Sequence, residues 1–167
     1  SILNVLGPLL NPGRPDYQLI GVFDPKLTRA FGEILVQLSR KGAWVVHGSA
    51  GAGQGMDELS TLGVNEICEV ADGKLRETKL DPKALGFGKA KLEELVGGDA
   101  AENAAILEGV LAGTIKGAKR DIAVLNAAAG FVITGKVADL AAGKALAEDL
   151  LNRGAAHVKL RAMQDLC

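Results

Sequence analysis

The sequence predicts an α/β domain in which a mainly parallel sheet is flanked by helices and carries a β-hairpin. Three observations lead to this class. Two short apolar runs enclose an amphipathic helix, an Asp-Gly pair separates two strand-like stretches, and alanine-rich segments with helical features fill the second half. A strand, a helix and a second strand in succession form a βαβ unit, whose strands are typically parallel neighbours. The 167 residues, of which 48% are hydrophobic, suit one domain with a sizeable core.

The βαβ unit begins with YQLIGVF at residues 17–23, a short apolar run bounded by turn residues. Asp24 and Pro25 predict a helix start, with the aspartate as N-cap and the proline at the first helical position. Apolar residues then follow at helical spacing along one stripe, namely Leu27, Ala30, Phe31, Ile34, Leu35 and Leu38. We expect Gly42 to end this helix and AWVVH at residues 43–47 to form the second buried strand.

A hairpin and then helices are predicted for the rest of the chain. Asp72-Gly73 lies between the two strand-like halves of NEICEVADGKLRETKL and is a strong hairpin-turn signal. Asp99, with Glu102 three residues later, forms a capping box that opens a helix. Three helices are therefore expected, over about residues 99–112, 121–133 and 137–152.

Composition and charge argue against several classes of protein. The net charge is −1, and no run of Lys or Arg indicates a nucleic-acid-binding surface. No apolar run is long enough to span a bilayer, and no secretory signal pattern is present. The cysteines Cys68, in a predicted strand, and Cys167 lack metal-ligand spacing, which favours a reduced cytosolic setting. Because the chain starts inside an apolar segment and without methionine, we expect a fragment or a processed product.

The stretch GAGQGMDELSTLG at residues 51–63 contains four glycines and two adjacent carboxylates, Asp57 and Glu58. It follows the carboxyl end of a predicted strand, where the ligands of open parallel sheets bind. Glycines let the backbone approach a ligand closely, and their N–H groups can face an anion. Two adjacent carboxylates would repel that anion unless a divalent cation lay between, and oxygen ligands suit Mg²⁺. The stretch therefore favours a metal-bridged phosphate or pyrophosphate site.

A structural interpretation of the same stretch stays open. Acidic residues in the first turn of a helix complement its macrodipole, so Asp57 with Ser60 could simply cap a helix. The loop over residues 48–55 carries almost only small side chains, and we expect it to be mobile until a ligand orders it. His47 and Asn126 are predicted to be structural residues that make hydrogen bonds.

Six separated stretches occur in the order in which they are found in anthranilate phosphoribosyltransferases: SILNVLGPLLNPGRP, YQLIGVF, VVHG, GMDELSTLG, VGGDAAENAAILEGVLAG and LNAAAGFVITGKVADLAAG. The chain thus resembles the C-terminal half of this family over essentially its whole length. The resemblance implies the nucleoside phosphorylase-like phosphoribosyltransferase fold, with the N-terminal half absent. Residues 1–167 are then the C-terminal part of the α/β domain.

The resemblance also implies a cytoplasmic enzyme of tryptophan biosynthesis. Such an enzyme transfers the phosphoribosyl group of 5-phosphoribosyl 1-pyrophosphate to anthranilate and releases pyrophosphate. It implies that Asp57 and Glu58 bind the two Mg²⁺ ions that hold the pyrophosphate, Asp57 one ion and Glu58 both. It further implies a homodimer formed through the missing helical domain, without a nucleic-acid or membrane partner.

The family's glycine-rich phosphate loop and its anthranilate-binding arginine fall upstream of residue 1. Residues 1–167 alone are therefore expected to be inactive, and no catalytic residue is assigned to them. The chain also departs from the family at Leu3, where phenylalanine is common, and in a longer loop between Gly48 and Asp57.

Two other functions fit the same fold, namely a pyrimidine nucleoside phosphorylase and a non-catalytic paralogue that binds nucleic acid. The LGPLxNP and GMDELS elements argue against the phosphorylase. The carboxylates of Asp57 and Glu58 and the net charge of −1 disfavour the nucleic-acid-binding paralogue. A different aromatic amine as the acceptor stays open.

Overall fold

The computed structural model describes residues 7–51 and 53–166, so the expectations for Leu3 and Cys167 lie outside the described residues. The described residues form a five-stranded sheet and five α-helices. The strands are β1 (Tyr17–Gly21), β2 (Gly42–Gly51), β3 (Gln54–Met56), β4 (Asn65–Ala71) and β5 (Lys74–Leu80). The helices are α1 (Leu27–Gln37), α2 (Ala100–Leu111), α3 (Ala118–Ile133), α4 (Leu140–Asn152) and α5 (Ala155–Gln164). Short 3-10 turns lie at Pro82–Leu85 and Leu92–Glu94.

The sheet is mixed, with the strand order β1-β2-β4-β5 and β3 paired to β2. Strands β1 and β2 are parallel, as the βαβ unit predicts. However, β2 pairs antiparallel with both β3 and β4, and β4 pairs antiparallel with β5. The predicted α/β class is confirmed, but the expectation of a mainly parallel sheet is wrong for the described strands. The chain returns from β2 to β4 without a crossover helix, and so short a return reverses the strand direction.

The first helix is confirmed, but its ends differ from the prediction. The Asp24 carboxylate accepts a hydrogen bond from the N–H of Lys26 at 2.9 Å, and α1 begins one residue later at Leu27. Ser39, with φ of 55°, takes the left-handed conformation after the helix, whereas Gly42 opens β2. The buried side of α1 consists of Thr28, Phe31, Gly32 and Leu35. The predicted apolar stripe is therefore wrong at Ala30, Ile34 and Leu38, which are exposed.

Gly32 explains why α1 is rotated relative to that stripe. A Cβ atom at residue 32 would lie 2.7 Å from Cys68 Sγ and 3.1 Å from a methyl group of Leu75. The helix therefore packs against the sheet on the side that carries Gly32, which leaves Ile34 and Leu38 exposed to solvent. Cys68 is fully buried at this contact, as expected of a small apolar strand residue.

The hairpin and the capping box are confirmed. Asp72 and Gly73 have φ values of 50° and 71° and join β4 to β5 as a two-residue turn. Asp99 and Glu102 each accept a hydrogen bond from the other's backbone N–H, at 2.9 and 3.0 Å, and α2 begins at the next residue after Asp99. Helix α5 was not predicted, because it buries none of its residues and so shows no clear apolar stripe.

The sheet has a hydrophobic core on each face. On one face it packs against α1 through Ile20, Val22, Phe31, Leu35, Val45, Cys68 and Val70. On the other face it packs against α3 and α4 through Trp44, Val46, Leu59, Ile67, Val124, Leu125 and Ala147. Among the residues described, we find no helix with the length and apolarity needed to cross a membrane.

Candidate functional site

Asp57 and Glu58 lie at the carboxyl end of β1, on the irregular segment 57–64 that joins β3 to β4. Two glycines leave the space in which this segment, called the acidic segment below, packs against the strands. A Cβ atom on Gly21, the last residue of β1, would collide with the carbonyl group of Asp57. A Cβ atom on Gly48 in β2 would collide with the carbonyl oxygen of Glu58. The backbone of the two acidic residues therefore passes directly over β1 and β2.

The helix expected after Asp57 does not form, since residues 57–64 contain neither helix nor strand. The interpretation of Asp57 as a helix cap is therefore wrong. Asn126 Oδ1 accepts from the N–H of Leu59 at 3.1 Å, and Asn126 Nδ2 donates to the C=O of Leu59 at 2.8 Å. Asn65 makes the same pair of bonds to Ser60, at 2.6 and 2.9 Å. These bonds occupy backbone groups that a helix would use for its own ladder.

The electrostatics of the two carboxylates are unusual. Partial burial raises the pKa of Glu58, and the adjacent Asp57 raises it further by repulsion. Over the described ranges 7–51 and 53–166, neither Asp57 nor Glu58 has a basic ion-pair partner within 4.0 Å. Both residues nevertheless keep a large part of their surface in contact with solvent, where a cation can reach them. A cation at this position would relieve their repulsion.

The donor set suits a hard divalent cation that keeps other ligands. Two carboxylates on adjacent residues supply only oxygen, which Mg²⁺ prefers. No group of three or more His, Cys, Asp and Glu side chains that could hold a metal exists in the described part of the chain. The pair can therefore supply only part of a coordination shell, which matches the habit of Mg²⁺ to bind one or two carboxylates together with waters and phosphate oxygens.

The two carboxylates border different cavities. Asp57 lines a cavity of about 530 Å³ beside β1, together with Pro8 and Phe23. Glu58 lines a cavity of about 560 Å³ between α2 and α3, together with Asn103 and Lys119. The two acidic residues thus contribute to two cavities, each large enough for part of a small ligand.

Residues 48–51 and 54–55, predicted to belong to a loop, lie in strands β2 and β3 of a β-hairpin. Gly48 pairs with Met56 and Ser49 with Gly55, so the backbone makes a ladder that needs no large side chains. A Cβ atom on Gly55 would collide with the imidazole of His47. His47 Nδ1 lies 2.8 Å from the carbonyl oxygen of Val22, which confirms His47 as a structural residue that makes hydrogen bonds.

Sequence reasoning missed several residues that build this site. Asn126 was expected to be structural, but its contact with the acidic segment was not foreseen. Gly21 and Asn65 were not recognised, and Gly48 was noted only as the first glycine of the loop at residues 48–55. A weak signal existed for Asn126, because it is the single polar residue in the apolar run AVLNAAAGFVI.

Comparison with known proteins gives relatives of one kind. The chain is 42% identical over 166 residues to the anthranilate phosphoribosyltransferase of Clostridium beijerinckii, covering 99% of this chain and 48% of that protein. The crystal structure of the Thermus thermophilus anthranilate phosphoribosyltransferase matches with a TM-score of 0.86 and 39% identity, over 97% of this chain and 46% of that one. The structure of an anthranilate phosphoribosyltransferase variant from Saccharomyces cerevisiae with Mg bound matches with a TM-score of 0.82 and 25% identity, over 98% of this chain and 46% of that one.

These matches confirm the resemblance read from the sequence. The chain spans about half the length of the curated relatives it matches. The family profile described as "Glycosyl transferase family, a/b domain" matches residues 1–157. The chain therefore belongs to the glycosyl transferase family whose a/b domain this profile describes.

Proposed function

We propose that this chain is the C-terminal part of the α/β domain of an anthranilate phosphoribosyltransferase that acts in tryptophan biosynthesis. The whole protein transfers the phosphoribosyl group of 5-phosphoribosyl 1-pyrophosphate to the amine of anthranilate and releases pyrophosphate. The observation that carries this proposal is the acid pair Asp57-Glu58, without a basic partner in the described residues, at the end of β1 and over Gly48 of β2. The names of its relatives, one of them 42% identical, support the choice of substrates.

Asp57 and Glu58 are the residues that hold Mg²⁺ in this proposal, Asp57 one ion and Glu58 two. When bound, Mg²⁺ supplies Lewis-acid stabilisation of the negative charge that develops on pyrophosphate as it leaves. The Saccharomyces cerevisiae relative with Mg bound supports this choice of metal. The pKa of Glu58, raised by burial and by Asp57, fits a carboxylate whose ionised form is completed by a cation.

The chain's own contribution to the reaction is orientation. Gly21 and Gly48 let the acidic segment lie close to the strands. Asn126 and Asn65 hold the backbone of Leu59 and Ser60, the two residues that follow the acid pair. The amine of anthranilate is neutral near pH 7, so its attack needs alignment more than a strong general base. No residue of this chain is assigned as a catalytic acid or base.

We further propose that residues 1–167 alone are inactive. The relatives are about twice as long, and the phosphate loop and the anthranilate-binding arginine of the family fall in the other half. The whole protein is proposed to be a cytoplasmic homodimer that assembles through its helical domain and has no nucleic-acid or membrane partner.

The test uses the whole protein encoded at this locus and the isolated chain 1–167. Consumption of anthranilate is followed by its fluorescence, with and without 5-phosphoribosyl 1-pyrophosphate and Mg²⁺. We expect turnover by the whole protein only when both are present, and none by the isolated chain. Phosphorolysis of uridine or thymidine in place of anthranilate turnover would instead indicate a pyrimidine nucleoside phosphorylase. Nucleic-acid binding without either activity would indicate the non-catalytic paralogue.

A further inference from the structure

Among the described residues, three asparagine side chains each bind the backbone of another residue through the same two hydrogen bonds, a contact that we term a grip. In each case the side-chain oxygen accepts from the N–H of the gripped residue, and the side-chain nitrogen donates to its C=O. The donor–acceptor distances lie between 2.6 and 3.1 Å. The pairs are Asn126 with Leu59, Asn65 with Ser60 and Asn103 with Gly98.

Of these three asparagines, Asn126 is the one for which the described part of the chain shows a contact with an acidic residue of the candidate site. Its Nδ2 lies 3.4 Å from Glu58 Oε2, and it donates to the C=O of Ile122 within α3 at 3.0 Å. An amide nitrogen carries two hydrogens, whereas Asn126 Nδ2 has three acceptors around it. The bond to Glu58 is the longest of the three, so it steadies the carboxylate without fixing it. Glu58 stays available to a cation.

The grip on Leu59 also determines where Glu58 lies. Leu59 is fully buried, and its N–H and C=O have Asn126 as their partner in the described structure. Without that side chain, both groups would be left unsatisfied in the interior, and the segment would move to satisfy them. Glu58 is the adjacent residue and would move with it. Asn103 holds Gly98 in the same way but touches neither carboxylate.

We propose that Asn126 is a positioning residue, which holds Glu58 in the place where it binds the divalent cation. The inference rests on the proposed function, in which Asp57 and Glu58 bind Mg²⁺. Asn126 itself is not a ligand in this proposal and acts through the Leu59 backbone and the Glu58 carboxylate. Its loss therefore weakens cation binding while both ligands remain in the chain.

The experiment measures binding of Mn²⁺, a paramagnetic substitute for Mg²⁺, to the whole protein by electron paramagnetic resonance of the free ion. Asn126→Ala is compared with the matched control Asn103→Ala, which removes the same kind of grip beside the same cavity. We expect Asn126→Ala to weaken Mn²⁺ binding about 10- to 100-fold, in line with the loss of an outer-shell partner. Asn103→Ala should stay within about twofold of the unmodified protein. Amide exchange at Leu59 should accelerate in Asn126→Ala alone.

A second variant decides the question if Asn126→Ala does not fold. Asn126→Gln keeps the amide but displaces it by one methylene group, and it should weaken Mn²⁺ binding to a smaller extent. Mn²⁺ affinity within twofold of the unmodified protein, in whichever of the two variants folds, would overturn the positioning role. Asp57→Asn serves to separate the two proposals. Mn²⁺ binding that Asp57→Asn removes but the Asn126 variants leave unchanged contradicts only this inference, whereas binding that Asp57→Asn leaves unchanged contradicts the proposed function as well.

Discussion

Two groups of carboxylates in this molecule differ in what surrounds them. Between the paired strands β4 and β5, Glu69 lies 2.6 Å from a guanidinium nitrogen of Arg76, and Glu66 lies 3.3 Å from the ammonium group of Lys79. Asp57 and Glu58, by contrast, have no ion-pair partner among the basic groups of the described residues within 4.0 Å. The Glu66–Lys79 pair is exposed, and a pair of this kind contributes little to stability.

Carboxylates that lack a counter-charge and lie on a fixed backbone indicate a cation-binding site. Two adjacent like charges disfavour the folded state unless something else compensates for them. Here the backbone beneath them is held by close passage over two glycines and by two asparagine grips. Like charges kept together on a fixed backbone are suited to a cation from solution, whereas the β4–β5 glutamates already have their counter-charges.

Neutralising Asp57 and Glu58 in the whole protein should reduce activity more than any other change proposed here. Asp57→Asn with Glu58→Gln should reduce Mg²⁺-dependent turnover by more than the roughly 10- to 100-fold that loss of an outer-shell partner costs. Steady-state rates at several Mg²⁺ concentrations measure the effect. Glu66→Gln with Glu69→Gln is the matched control and should leave the rate nearly unchanged. Near-normal turnover of the first variant at saturating Mg²⁺ would show that the acid pair is not a metal site.

A smaller effect, on the stability of the fold, is expected from replacing Gly48, against which the acidic segment packs. Gly48→Ala would place a methyl group against the Glu58 carbonyl and 2.9 Å from the Ser60 nitrogen, so the segment must shift. We expect a loss of about 1–3 kcal/mol in the free energy of unfolding, measured with urea.

Gly130→Ala in α3 is the control for this substitution, because a Cβ atom there meets nothing within 4 Å. It should be neutral or stabilising by up to about 1 kcal/mol, as expected for glycine to alanine in a helix. Equal stability of the two variants would contradict the close passage of the acidic segment over β2.

The β2–β3 hairpin and the β4–β5 hairpin should also respond differently to ligand. We expect amides of residues 48–56 to exchange about tenfold more slowly when Mg²⁺ and 5-phosphoribosyl 1-pyrophosphate are bound, which corresponds to about 1.4 kcal/mol of ordering. Residues 65–80 should show no change. Hydrogen exchange of the whole protein, read by mass spectrometry, measures both hairpins at once. Unchanged exchange in residues 48–56 would leave this hairpin as a passive part of the surface.

The smallest effect concerns metal-free stability and its dependence on pH. Folding raises the pKa of Glu58, so the folded state binds its proton more tightly than the unfolded state does. Stability is therefore lost as the pH rises from the ordinary glutamate pKa through the raised one. Glu58→Gln should raise Tm at pH 7 without metal, and the gain should vanish below the ordinary pKa. Glu66→Gln should give no such gain, and equal Tm values for Glu58→Gln and the unmodified protein at pH 7 would contradict the prediction.

The sequence predicted those features whose cause lies within a few residues. Asp72-Gly73 and the Asp99–Glu102 capping box were found because a turn and a cap are determined by adjacent side chains. The acid pair at residues 57 and 58 was found as a candidate because of its motif.

Features that depend on distant partners were not found. A helix was expected after Asp57, but the backbone of Leu59 is bound by Asn126, and no local pattern indicates that contact. The predictions of a mainly parallel sheet and of a loop at residues 48–55 were wrong for a related reason. Strand pairing is determined by backbone partners, and the small side chains of this segment carry no periodic signal.

The grip of Asn126 on Leu59 spans 67 positions of the chain and has a consequence for the order of events during synthesis. The ribosome adds about 5–20 residues per second, so Asp57 and Glu58 are made several seconds before Asn126 exists. During that interval the two carboxylates have no fixed geometry with which to bind Mg²⁺. In the proposed function, the cation therefore joins a fold that is already complete, unlike the zinc of small metallo-domains, which drives their folding. A cell short of magnesium would then accumulate folded protein that lacks its metal, and not unfolded chains.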